Sequence, residues 1–305
     1  MQLSIGVVVA LLFLSGLLIS QVRFCMVNAV ARAGQGQWDI AQAIALICLS
    51  ISAVLMALEA AQGRVPHQLA PDWQVAAGGL LFGIAAAWNR GCFIGSSLQL
   101  AAGDLRVLLT MGGWVLGFLI AGKPMALSAL AGMSQRTAVA LAGCLILLGL
   151  MQLANRQDSP EPPLTPRDRV AWPASLACGA LLALVDNDLW RWDPSSLALA
   201  VANHLRGQTT APLLGLMLLA GMATESLLRR RTQITLPRLG DLVRLPLGMA
   251  MAAGAVLAMG GNDSQLLRYL PGGSPHGLVA VATMVAGIVI GLRSTRWRTP
   301  QRPGA

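Results

Sequence analysis

Residues 89–104 read NRGCFIGSSLQLAAGD and directly follow an apolar run. The arginine and the glycines do not continue that run at membrane depth, so the spacing predicts a break and a new short helix starting near Cys92. Gly91 and Gly95 allow close backbone approach, while Ser96 and Ser97 add hydroxyl donors. The N-terminus of such a half-helix carries N–H groups and a partial positive charge, which favour an anion.

Working outward, the rest of the chain supports a membrane setting. Of 305 residues, 55% are hydrophobic and 11% charged, against about 25% charged in soluble domains. Apolar runs lie at 3–20, 38–60, 75–89, 105–121, 137–154, 171–186, 209–226, 242–260 and 275–292. They predict an all-α polytopic membrane protein with about nine transmembrane helices. Semi-apolar segments at 23–33, 92–101, 195–203 and 262–270 are too short to span and read as re-entrant half-helices. The first run lacks a basic flank and a small-residue cleavage site, so it reads as a retained span rather than a signal peptide.

The same stretch also has a counterpart. Aligning Cys92 on Asn262 without gaps places Gly91 on Gly261, Gly103 on Gly273 and Gly117 on Gly287. Both windows run apolar span, Gly-rich break, short amphipathic piece, Gly, apolar span. With one odd span between them, the two halves form inverted repeats, a common transporter plan. The expected layout is an N-terminal repeat (1–154), a polar Pro-rich linker (155–170), a C-terminal repeat (171–292) and a basic tail (293–305).

The net charge of +9 comes from arginines at the ends of apolar runs, which reads as topology and not as nucleic-acid binding. Arg229, Arg230, Arg231, Arg238 and Arg244 form one basic loop, and Arg293, Arg296, Arg298 and Arg302 form a basic tail. Both belong on the cytoplasmic side, which puts the N-terminus outside and the C-terminus inside. The segments around Arg23, Arg32, Arg90 and Arg106 then lie inside, and the acidic stretch with Asp186, Asp188 and Asp193 lies outside.

Five cysteines form no CxxC pair, and the three histidines lie far from them in sequence, so no disulfide framework, metal site or cofactor is expected. Cys48, Cys144 and Cys178 lie within apolar runs and read as small buried hydrophobes. Cys25 and Cys92 differ, because each follows an arginine (Arg23, Arg90) at a predicted helix break. A thiol at a helix N-terminus is either an activated nucleophile or a weak S–H donor suited to a soft, sulfur-containing anion. The matching break in the second half reads GGND, with Gly261, Asn262 and Asp263.

The RFCMVNAVAR segment from Arg23 and the NRGCFIGSSLQLAAGDLRVLLTMGGWVLG segment from Asn89 resemble the first and second cysteine motifs of the YeeE/YedE sulfur-transport family of bacterial inner-membrane proteins. The resemblance implies a permease that admits thiosulfate or another small sulfur compound through a narrowed centre, with cysteines passing the anion by S–H···S contacts. It also implies a small cytoplasmic sulfur-carrier partner of the TusA type. One departure stands out: thiosulfate transporters of the family carry a third functional cysteine where this chain has Asn262. Asn262 still offers N–H donors, whereas Asp263 would repel an anion if it faced the path. Asp263 reads either as an intramembrane proton site or arginine partner, or as a solvated residue at the outer mouth.

Two other readings stand beside the permease, which is not an enzyme. A membrane sulfur-relay subunit would form a persulfide on Cys25 or Cys92, although no cysteine–histidine base pair is visible. A scaffold, or a transporter for a different solute, would use His204, His276, Trp88, Trp172, Trp190 or Trp192 along a path. These residues fit cores and interfacial belts better.

Overall fold

A computed structural model of the protein describes residues 4–62, 69–121, 166–185, 192–205 and 214–296. The elements are α1 (Ile5–Val22), α2 (Met26–Ala33), α3 (Asp39–Gln62), α4 (Trp73–Asn89), α5 (Phe93–Ala101), α6 (Val107–Ala121), α7 (Pro166–Val185), α8 (Pro194–Leu205), α9 (Gly215–Leu228), a 3-10 turn (Leu239–Val243), α10 (Arg244–Leu257), α11 (Asn262–Ser264) running into a π-helical turn (Gln265–Tyr269), and α12 (Pro275–Arg296). The expected span at 137–154, Cys144, most of the 155–170 linker and the end of the basic tail lie outside the described residues.

The stretches Ile5–Ala33, Asp39–Ala61, Leu239–Leu257 and Pro275–Ser294 are long and apolar enough to cross a membrane, and Val107–Ala121, Trp172–Val185 and Gly215–Leu228 are shorter apolar helices. The chain is an all-α polytopic membrane protein. A 15-residue helix such as α6 reaches about 22 Å, short of the roughly 30 Å hydrocarbon core. Each expected half-helix is present as a short element: α2, α5, α8 and the 262–269 turn.

The packing follows the 170-residue register of the glycine alignment. That register maps α4 on α10 and α6 on α12, and the two extensive cross-half pairings are α4 with α12 and α10 with α6. Likewise, α1 packs on α9 and α3 on α7, while α4 meets α10 and α1 meets α7 across the middle. Direction comes from the small residues where backbones touch. A Cβ on Gly78 would meet the Ala258 amide at 2.5 Å, and one on Gly254 would meet the Phe82 amide at 2.7 Å, so α4 and α10 run antiparallel. Gly79 faces Ala280 and Gly83 faces Ile288, so α4 runs parallel to α12. A two-fold operation that reverses α4 into α10 has its axis across the helices, as an inverted repeat requires. Helices meet through Gly16 and Gly221, Gly83 and Gly287, and Gly113 and Gly248, as close membrane-helix crossings require.

Outside the bundle, the loop after α9 folds back as a strap over the end of α5. Gln233 N donates to Ala102 O (2.9 Å), Thr235 N to Gly103 O (3.0 Å), and Leu105 N to Thr235 O (3.0 Å). Asp104 accepts from the Thr235 hydroxyl at 2.8 Å and pairs with Arg106 at 2.7 Å. Gly103 has φ 93°, and a Cβ there would strike Gln233, so this turn requires glycine.

Candidate functional site

The site begins with how three helices end. α1 stops with Arg23 N bonded to Ser20 O and Phe24 N to Ile19 O; α4 stops with Arg90 N to Ala87 O and Gly91 N to Ala86 O; α10 stops with Met259 N to Val256 O and Gly260 N to Ala255 O. All three are Schellman ends with a left-handed residue (φ 55°, 60° and 57°). That conformation costs a non-glycine residue roughly 1–2 kcal/mol. The chain therefore turns sharply without the usual glycine, and the next residues begin a short helix.

At the first two breaks the residue that opens the new helix is a cysteine. Cys25 is the N-cap of α2 and Cys92 is the N-cap of α5. The thiols lie 3.9 Å apart, sulfur to sulfur, and both residues are buried. Cys92 Sγ also accepts from Gly95 N at 3.4 Å. Gly95 is needed here because a Cβ would collide with Cys25 Sγ and lie 3.4 Å from Cys92 Sγ. Cys25, but not Cys92, lines a cavity of about 250 Å³ together with Ser20, Arg23, Asn28, Gly95, Leu98, Gln99, Ala102, Ser226 and Arg231.

A smaller cavity of about 60 Å³ is lined mainly by second-half residues, among them Asp193, Ser195, Gly261, Ser264, Arg268 and Tyr269, together with Phe118 of α6. Between the two cavities runs a closed chain of contacts. Phe93, next to Cys92, donates its amide to Asn262 Oδ1 at 3.2 Å. The Phe93 ring lies 4.5 Å from Trp114, 5.3 Å from Phe82 and 6.4 Å from Phe118, centroid to centroid. A Cβ on Gly261 would run into that ring. Asn262 is fully buried, and among the described residues its Nδ2 has no partner.

Asp263 is 0% exposed, so the expectation of a solvated residue at the mouth is replaced by a buried acid. Its carboxylate accepts from Ser195 N at 2.7 Å and Ser264 N at 2.9 Å. Asp193 accepts from Ser196 N at 2.8 Å and from the Ser195 hydroxyl at 2.6 Å. Two carboxylates thus occupy the first amides of α8, where desolvation without such bonds would be costly.

Of the residues singled out from sequence, Cys25, Cys92, Gly95, Arg23, Gly261, Asn262 and Asp263 gather along this line. Arg90 does not: its side chain is exposed and its carbonyl accepts from Gln99 Nε2 at 2.9 Å. Ser96 and Gly91 brace the break, since Asn89 Nδ2 donates to Ser96 Oγ (3.2 Å) and Gly91 O (3.0 Å) while Thr110 Oγ1 donates to Asn89 Oδ1 (2.8 Å). Cys48 and Cys178 are buried apart from the site, with Cys48 Sγ donating to Leu266 O at 3.1 Å. Sequence reading missed Phe93, Asn28, Gln99 and Arg231. The first three lie within the quoted motifs, but only the fold shows that they face the same line. Among the described residues no group of three or more His, Cys, Asp or Glu is arranged to hold a metal.

No curated protein matches the chain. Residues 168–290 do match a family model, one described as sulphur transport. This region includes the GGND break and the Asp193–Asp263 cluster, and it contains neither Cys25 nor Cys92. The family matched over residues 168–290 is the YeeE/YedE sulphur transport family, the same family that the two cysteine motifs outside that region resemble.

Proposed function

We propose that the protein is a permease importing thiosulfate, or a closely related small sulfur anion, through the constriction formed by Cys25, Cys92, Phe93 and Asn262. The observation that carries this reading is the pair of thiols 3.9 Å apart, each on the N-cap residue of a half-helix, with Cys25 lining an arginine-bearing cavity and Cys92 buried behind it. S–H groups are weak donors that suit a soft sulfur atom, and helix N-termini suit an anion. Asn262 Nδ2, a buried donor without a partner, suits an oxygen of the same ion. Arg23 and Arg231 then receive the anion on the far side. The contact chain is closed, so passage requires Phe93 to move aside.

In this reading the arginine-rich cavity opens to the cytoplasm and the Asp193 cavity to the outside, with the N-terminus outside and the C-terminus in the cytoplasm of a bacterial inner membrane. The cytoplasmic cavity is where a small sulfur-carrier protein of the TusA type would collect its cargo. The two halves, 1–154 and 171–292, act as the moving repeats, joined through 155–170.

The test is uptake of radiolabelled thiosulfate by cells lacking their own sulfate and thiosulfate importers, comparing wild type with Cys92→Ala at matched membrane expression. Uptake that disappears in Cys92→Ala supports the reading. Absence of uptake by well-expressed wild type would retire thiosulfate and turn attention to persulfide trapping on Cys25 and Cys92.

A further inference from the structure

We propose that a buried pair, His276 and Gln265, binds a proton and couples it to anion transport; this rests on the permease reading above. Both side chains are 0% exposed. His276 Nε2 lies 2.8 Å from Ala258 O, and Gln265 Nε2 donates to the same carbonyl, also at 2.8 Å. A carbonyl only accepts, so His276 Nε2 must carry the hydrogen, and Nδ1 of the neutral ring is a bare lone pair. Among the described residues Nδ1 has no partner, and neither does Gln265 Oε1. Two buried acceptors, on groups held by one carbonyl, both lack a donor, and buried polar atoms are rarely left in that state. Nδ1 is therefore the open proton-accepting position of the ring, and Gln265 shares the carbonyl that holds the ring in place.

The position of this pair links it to the path. Ala258 is the last residue before the left-handed Met259 and the Gly260–Gly261–Asn262 break that borders the constriction. A proton that changes how Ala258 is held therefore acts on the segment that presents Asn262. The charge also suits the task, because a proton travelling with a sulfur anion offsets part of the charge entering a low-dielectric core.

The titratable neighbours are few. From the π-helical turn, Tyr269 meets the imidazole edge-on at 5.2 Å, and Arg268 on the same turn lines the smaller cavity. Asp263, one turn earlier, is held by the Ser195 and Ser264 amides. From the segment before α4, Leu69 O accepts from His276 N, and Asp72 caps Trp73 N. α3 meets the turn through Cys48 Sγ, which donates to Leu266 O, meets Pro271 O just beyond it through the Ser52 hydroxyl, and carries half-buried Glu59 two turns further on from Ser52. α4 contributes no titratable side chain, and Arg244 and Arg293 lie at the distant ends of α10 and α12.

The experiment uses the full chain in liposomes with radiolabelled thiosulfate, measuring counterflow at equal pH and accumulation under an inward proton gradient of one pH unit, a driving force of about tenfold per co-transported proton. Wild type should accumulate thiosulfate under the gradient. His276→Gln should retain counterflow, lose the gradient-driven excess and lose the pH dependence of counterflow. Gln265→Met should keep transport and shift the midpoint of the pH profile. Gradient-driven accumulation by His276→Gln equal to wild type overturns the proposal. So does wild-type transport indifferent to pH, the result expected if an ordered water bridges the two acceptors. If His276→Gln does not fold, an unshifted Gln265→Met profile overturns it. Absence of all counterflow in wild type overturns both this proposal and the permease reading, whereas counterflow sensitive to Cys92→Ala but indifferent to the gradient overturns this one alone.

Discussion

The two cavities are built from corresponding elements and differ in chemistry. One is bounded by α2 and α5, the other by α8 and the 262–269 turn. In the first, Cys25 caps α2 without a side-chain hydrogen bond, and arginines at positions 23 and 231 stand beside it. In the second, Asp193 and Asp263 have placed their own carboxylates on the α8 amides. One helix N-terminus faces a thiol and a basic cavity, while its counterpart already holds acids. The repeat supplies the scaffold, and a handful of substitutions decide which half can offer its amides to a soft anion.

The largest effect that would break this comparison comes from the thiols. Cys25→Ala should lower thiosulfate uptake by at least tenfold, the equivalent of losing about 1.4 kcal/mol of contact at the constriction, while Asp193→Asn should leave uptake measurable. Equal losses in radiolabelled uptake would mean that the two cavities contribute alike. Next comes packing. Gly95→Ala forces a methyl against Cys25 Sγ and should destabilise the protein by about 1–3 kcal/mol, as overpacked cores do. Gly112→Ala, whose nearest neighbour is Leu245 Cδ1 at 4.0 Å, is the control, and thermal unfolding in detergent compares them.

A smaller effect is expected from the exposed cation. Arg23→Gln should raise KM up to about fivefold at low salt, in keeping with the ~0.2–1 kcal/mol of a solvated ion contact. The difference should shrink as salt is added. An unchanged KM at low salt would assign Arg23 to anchoring the span end alone.

The smallest effect concerns the strap. The Arg106 guanidinium beside Asp104, helped by the Thr235 hydroxyl, holds its carboxyl below the usual carboxylate range. A depressed carboxylate stabilises the fold above its unfolded pKa of about 3.9, and that contribution is lost as pH falls through the folded value. Asp104→Asn should therefore unfold at a lower temperature than wild type near neutrality, with the gap closing below about pH 4. A gap that persists at low pH would mean that geometry rather than charge is at stake.

Much of the fold was legible because hydropathy length and glycine spacing act locally. All four half-helices fall where short semi-apolar segments follow or precede full spans, and Cys92 does open a helix after a break. Arg23, Arg90 and Met259 were harder, since left-handed helix ends usually announce themselves with glycine. Asp263 was ambiguous because its burial depends on Ser195, which is 68 residues away in sequence. Phe93 reads as one more apolar residue until Phe82, Trp114 and Phe118 surround it. Periodicity predicts elements, while the identity of the groups that meet at the centre is a property of tertiary contact.

The strap has a consequence for how the protein is made. Thr235 reaches Asp104 across 131 residues, so the end of α5 waits for its partner until most of the chain has been synthesised. α4 and α6 wait longer still, for α12 and α10 respectively. Insertion proceeds from the N-terminus, yet the thiol site finds its final support only near the end of translation. An early truncation should therefore leave the cysteine motifs inserted but unassembled, which makes the first half a poor candidate for expression on its own.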